Sequence, residues 1–145
     1  MEEKNELLEH IYKDAYMASY SLQKLIDEIK NKDNKIKGDV EDILQKYQEF
    51  KEEVEELLKG NGEEVNDPNF FAKMGSTMGI IKEVKTDNSD SSIADMVIQG
   101  VSMGSIETEK KLKAYEKDIE KEYKDLAERF LKFQQKSIDK LKKYL

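Results

Sequence analysis

The sequence predicts an all-α protein in which four long helices pack as a bundle, and three observations carry that reading. Apolar residues recur at steps of three and four over long windows, which is the repeat of one helical face and not the alternation of a strand. The 145 residues are rich in Glu, Lys and Leu and include one proline and no tryptophan, a composition that favours helix over sheet. Turn-forming clusters are few, and they divide the chain into long segments. At this length a single domain (1–145) with a real core is expected.

The first helix, over about 3–31, carries Leu7, Ile11, Ala15, Ala18, Leu22, Leu25 and Ile29 as one seam. Asn31–Asn34 ends it and offers Asp33 or Asn34 as the next N-cap. The second, over about 34–60, has the seam Val40, Ile43, Tyr47, Phe50, Val54 and Leu57. It stops at Lys59 and the glycines of Gly60–Gly62, a basic last residue followed by helix-ending glycine. Asp67 as N-cap and Pro68 at the first helical position predict a shorter helix over 68–85, with Phe71, Met74, Met78 and Ile81 on its inner face. The polar run Lys85–Ser92 reads as a loop. Ile93, Val97, Gly100, Gly104 and Leu112 then trace a helix over about 91–116. Ile119, Tyr123, Leu126, Phe130, Phe133, Ile138 and Leu141 trace another over about 118–144. The spacing passes unbroken through Tyr115–Ile119. One helix from Ile93 to Leu145 would be roughly 80 Å long, at 1.5 Å per residue, and would need a swapped second chain to cover it. A turn near Lys117–Asp118 is expected instead.

Four of the seven glycines lie inside predicted helices, in two copies of Gly-x-(Ser/Thr)-Met-Gly: Gly75 with Gly79, and Gly100 with Gly104. Each costs about 1 kcal/mol against alanine in a helix interior. Glycines four apart share a face and let another backbone approach. The expectation is that the crossover helix and the third long helix meet along these two smooth faces, with methionines filling the gap. Close packing against another subunit is the alternative. Met74, Met78, Met96 and Met103 as copper(I) thioether ligands, or a glycine-cradled phosphate, fit less well. On the first helix, Tyr16 and Tyr20 point away from the seam, with Tyr12 on its flank. That stripe is expected to be a partner surface, or else to lie under the crossover helix.

Two helices, a long helical crossover and two more helices make the layout. "NELLEHIYKDA" opens the first helix, glycine ends the second, "SDSSIADMVIQG" starts the third and "LKAYEKDI" precedes the fourth. On these features, and over nearly its whole length, the chain resembles an uncharacterised bacterial family of ferritin-like four-helix bundles. The resemblance implies a single long crossover between the second and third long helices, and it raises the question of a di-iron centre. That chemistry requires Glu from two helices and Glu-x-x-His from the other two. The single histidine, His10, is in the first helix; "QKYQEFKEE" and "FLKFQQKSI" lack the motif, and the third helix offers Gln99 and Ser102 at positions expected to face inward. The ligand set is missing, so no cofactor is expected. A mononuclear site from Glu6, His10 and Asp14 with Glu107 is the alternative. Otherwise His10 lies on a solvated edge with its pKa raised by two neighbouring acids, and Asp14 makes a buried hydrogen bond.

The net charge is −7, from 32 acids against 25 bases, so nucleic acid and anionic membranes would be repelled. Cysteine is absent, which removes disulfides, thiolate metal sites and cysteine nucleophiles. No apolar run reaches transmembrane length, and "MEEKNELLEH" does not read as a signal peptide, so a cytoplasmic location is expected. No Gly-x-Ser-x-Gly context supplies a serine nucleophile. The reading is a non-catalytic structural or protein-interaction module, homo-oligomeric or bound to another protein. A divergent metal-binding bundle using His10 is the rival.

Overall fold

The predicted seams of the first and second helices are where the chain packs most tightly. Leu7, Ile11, Ala15, Leu22, Leu25 and Ile29 are buried, and so are Val40, Ile43, Tyr47, Phe50 and Val54, while Ala18 and Leu57 are half-buried and Leu58 takes the inner position beside Leu57. The computed structural model describes residues 2–145, leaving aside the side chains of Phe70 and Phe71. Those residues form α1 (Glu3–Ile29), α2 (Lys37–Gly60), α3 (Phe70–Thr86), α4 (Asp90–Tyr115) and α5 (Lys121–Leu141), followed by a 3-10 turn, Lys142–Tyr144. The described residues contain no strand, and none of their helices is long and apolar enough to cross a membrane.

Side-chain contacts set the directions. Tyr115 at the end of α4 meets Glu6, and Asp90 at its start meets Asn34, so α4 runs antiparallel to α1. Tyr123 reaches Asn61 and Lys140 reaches Asp42, so α5 runs antiparallel to α2. Between these hairpins the crossover lies along α1 and parallel to it, with Asp67 beside Tyr12 and Ser76 beside Ser21. Edge-to-face contacts of Tyr47 with Phe130 and Phe133 join α2 to α5 across the centre.

The glycine end of α2 closes as a Schellman motif. Glu63 N donates to Leu58 O at 2.9 Å, Gly62 N donates to Lys59 O at 3.0 Å, and Gly62 takes φ +80°, which only glycine adopts without strain. Ser89 caps α4, its Oγ accepting from Ser92 N. Two expected caps are corrected. α2 starts at Lys37 without a side-chain cap, and Asn34 instead donates to Asn88 O and Asp90 Oδ1, tying the α1–α2 turn to the start of α4. α3 begins at Phe70, not Pro68, and Asp67 accepts from the Tyr12 hydroxyl. The chain turns over 116–120, with Asp118 N donating to Tyr115 O, so 93–145 is two helices.

Three inner faces differ from expectation. On α5 Gln134 and Ser137 are buried, while Phe133 and Ile138 are half-buried. On α4 the buried residues are Ile93, Ala94, Val97, Val101, Ser105, Thr108 and Leu112, a seam one residue away from Gly100 and Gly104. Gln99 is exposed and Ser102 only half-buried, so neither occupies the bundle centre. On α3 it is Ile80 and Val84 that are buried, while Met74 and Met78 are 48% and 67% exposed. Phe71, expected on that inner face, lies outside the described side chains. The apolar residues of α3 are spread over more than one side, so periodicity alone does not choose its buried side.

Candidate functional site

The spacing of Glu6, His10 and Asp14 puts them along one side of α1, and α4 faces that side with Glu107. All four line one groove of about 870 Å³ between α1 and α4. They do not converge on a point. Among the described residues, no three His, Asp or Glu side chains stand close enough to share a metal ion. The mononuclear site is therefore corrected to a groove wall, and each residue has its own partner or role.

His10 Nε2 lies 3.0 Å from Thr108 Oγ1. The Thr108 hydroxyl has only acceptors elsewhere, Gly104 O at 2.9 Å and Gln134 Oε1 at 3.2 Å, so His10 is the donor to it. Gln134 is fully buried; its Nε2 donates to Asp14 Oδ2 at 2.7 Å and to the Tyr47 hydroxyl at 3.4 Å. A polar chain thus crosses the middle of the molecule, from α1 through α4 and α5 to α1 and α2. It is made of imidazole, hydroxyl, amide, carboxylate and phenol. A di-iron centre would need several carboxylates at this place, and this donor set does not fit one.

The electrostatics follow from that burial. Burial and the nearby Lys111 ammonium lower the His10 pKa to about 4, against the opposing pull of Glu107. The expectation of a raised value is reversed, because desolvation of the imidazolium outweighs the acids around it. Burial raises Asp14 to about 6, although the Gln134 hydrogen bond favours its charged form. Tyr47 is raised by burial and by the negative charge of Asp14. Glu6 accepts from the Tyr115 hydroxyl at 2.5 Å, and Glu107 pairs with Lys110 at 3.5 Å.

The glycine faces do not meet. An added Cβ at Gly75, Gly79 or Gly100 would encounter nothing within 4 Å among the described residues, and all three are exposed. α3 packs on α1 and not along the glycine face of α4. Gly104 alone makes a close approach, to the carboxylate of Asp14: a Cβ there would lie 2.5 Å from Oδ2 and 2.8 Å from Oδ1. Met74, Met78 and Met103 turn outward with the glycines, while Met96 is half-buried against the core. Met103 is 72% exposed, and Ile106 beside it is 52% exposed.

The tyrosine stripe is covered from within the chain. Tyr12 is buried and donates to Asp67 at 3.3 Å. Lys73 Nζ stands 5.3 Å over the Tyr16 ring and 5.8 Å from that of Tyr20, and donates to the Tyr16 hydroxyl at 3.4 Å. The crossover lies on this side of α1, and Tyr16 and Tyr20 stay half-buried beneath it.

A second hollow, of about 350 Å³, opens between α3 and α4 over α1. It meets the first groove at Asp14, Met17 and Gly100, which line both. Compared with known protein families, with curated proteins and with solved structures, the chain matches none.

Proposed function

We propose that the chain is a non-catalytic, ferritin-like four-helix bundle acting as a protein-interaction module, with a second copy of itself as its first partner. The ferritin-like reading is supported by the two antiparallel hairpins joined by one long helical crossover. Its centre is occupied by Gln134, Thr108 and Tyr47 rather than by a ligand set.

One observation carries the interaction reading: Gly75, Gly79 and Gly100 face outward beside exposed Met74, Met78 and Met103. Three helix-interior glycines cost on the order of 3 kcal/mol, and contacts within the chain do not offset that. Contacts between chains can. Placing α3 of one copy on α4 of the other, and the reverse, makes a two-fold arrangement in which each smooth face is used once. Bare backbone permits the close approach, and flexible thioethers fill the remaining gaps.

Light scattering on the full chain tests this. The dimer mass is expected for the unaltered chain, and the monomer mass, with undiminished helicity, for Met78→Glu combined with Met103→Glu. A monomer in the unaltered chain, or a dimer that survives both substitutions, overturns the reading.

A further inference from the structure

We propose that the crevice between α3 and α4, with Asp14 where it joins the α1–α4 groove, binds a small organic monocation with an apolar body, an amine of the alkylammonium type. The crevice holds about 350 Å³, at the small end of the range for ligand pockets. Its walls are mostly apolar, with Leu22 and Leu25 from α1, Ile80 from α3, and Met96, Val97 and Val101 from α4; the two serines in the lining, Ser21 and Ser76, are bonded to each other. Among the described residues one charged side chain lines it, Asp14, and Tyr47 lines it as well.

Asp14 has one neutral hydrogen-bond donor, Gln134, and no Lys, Arg or His pairs with it among the described residues. A largely enclosed carboxylate without a counter-charge is costly, and buried charges are ordinarily paired. Here the fold spends structure on keeping it. Gly104 omits a side chain where the carboxylate rests against α4, and Gln134 is held in the core to bond it. The adjoining groove carries Glu6, Glu9 and Glu107 against Lys13 and Lys111, so with Asp14 the local field is negative. A cation is drawn in and an anion is turned away. A metal ion is the wrong cation, because no second and third ligands stand near enough. An ammonium on an apolar body satisfies both halves, charge to Asp14 and hydrocarbon to the walls. Gly100 stands where the crevice opens into the groove and has nothing within 4 Å, so a side chain added there would enter the passage without disturbing the fold.

The test is a titration of the full chain at neutral pH with octylammonium, 1-octanol and octanoate, read by calorimetry and by methyl resonances of labelled methionine. Octylammonium is expected to bind one per chain and to move the Met17 and Met96 signals while Met74 and Met78 stay in place. Asp14→Asn is expected to weaken it at least tenfold, and so is Gly100→Leu in the Met78→Glu, Met103→Glu chain, where no second copy covers Gly100. Equal affinity for 1-octanol, undiminished binding by Asp14→Asn, or shifts confined to Met74 and Met78 would overturn the proposal. Running the same titration on the Met78→Glu, Met103→Glu chain separates this site from self-association, since binding is expected to persist there.

Discussion

Asp14 and Asp39 are both enclosed by helices, and the chain treats them in opposite ways. Asp39, in the first turn of α2, receives Lys140 at 3.2 Å, Lys143 at 2.9 Å and the Tyr144 hydroxyl at 2.5 Å. Burial alone would raise its pKa, but these hydrogen bonds and charges outweigh it and hold Asp39 at about 2. Asp14 has only the Gln134 amide, and burial wins, lifting it to about 6. The first arrangement fastens the last turn of the chain to α2. The second leaves a carboxylate with unmet demand for positive charge. The same side chain is a clamp where the fold brings cations to it and a waiting site where the fold withholds them.

The largest effect should come from removing what holds Asp14. Gln134→Ala leaves Asp14, Tyr47 and Thr108 without their shared partner and opens a void, so a loss of about 3–4 kcal/mol is expected in denaturant unfolding. Next, the two aspartates should respond with opposite sign to the same substitution. The folded pKa of Asp14 lies above the unfolded value of 3.8, so the stability it contributes is present below about pH 4 and lost as pH rises through about 6. Asp14→Asn should therefore stabilise at pH 7.5, by up to about 3 kcal/mol, and should change nothing at pH 4. For Asp39 the folded pKa is lowered, so its contribution is present above about pH 4 and lost as pH falls towards 2. Asp39→Asn should cost about 1–2 kcal/mol at neutral pH, after allowance for its partly exposed lysine partners. Equal signs for the two substitutions would break the comparison.

A smaller contrast lies within one helix. Gly104→Ala drives a Cβ into the Asp14 carboxylate and should cost about 1 kcal/mol net, helix propensity included. Gly100→Ala meets open space and should gain about 0.5–1 kcal/mol in monomer stability. Thermal unfolding of the two variants side by side settles which glycine is structural.

The seams of α1 and α2, and of α5 at Tyr123, Leu126, Phe130 and Leu141, are legible in the sequence because each of those helices is apolar mainly on one side. α3 is not, since Ile80 and Val84 compete with Met74 and Met78 and only the tertiary fit to α1 decides. On α4 the repeat of Gly100 and Gly104 reads as a packing face, yet Val97, Val101, Ser105, Thr108 and Leu112 make an equally regular row one residue away, and that row wins the interior. The groove itself was readable, as the four-residue spacing of Glu6, His10 and Asp14 requires a shared side. Its inner wall was not, because a search for carboxylates and imidazoles passes over uncharged Thr108 and Gln134. The signal for Gln134 is its position, four residues after Phe130 and in line with Leu126 and Leu141, where a polar residue needs a buried partner.

The attachment of α3 has a consequence for how the molecule responds to an occupant. Among the described residues it rests on α1, moored by Ile80, Val84, the Ser21–Ser76 bond and Lys73 over the tyrosines, while both hairpins hold together without it. Ile80 on α3 is also a wall of the crevice. An occupant of the crevice would add contacts to α3 through Ile80, so tenancy and the local order of α3 would rise together.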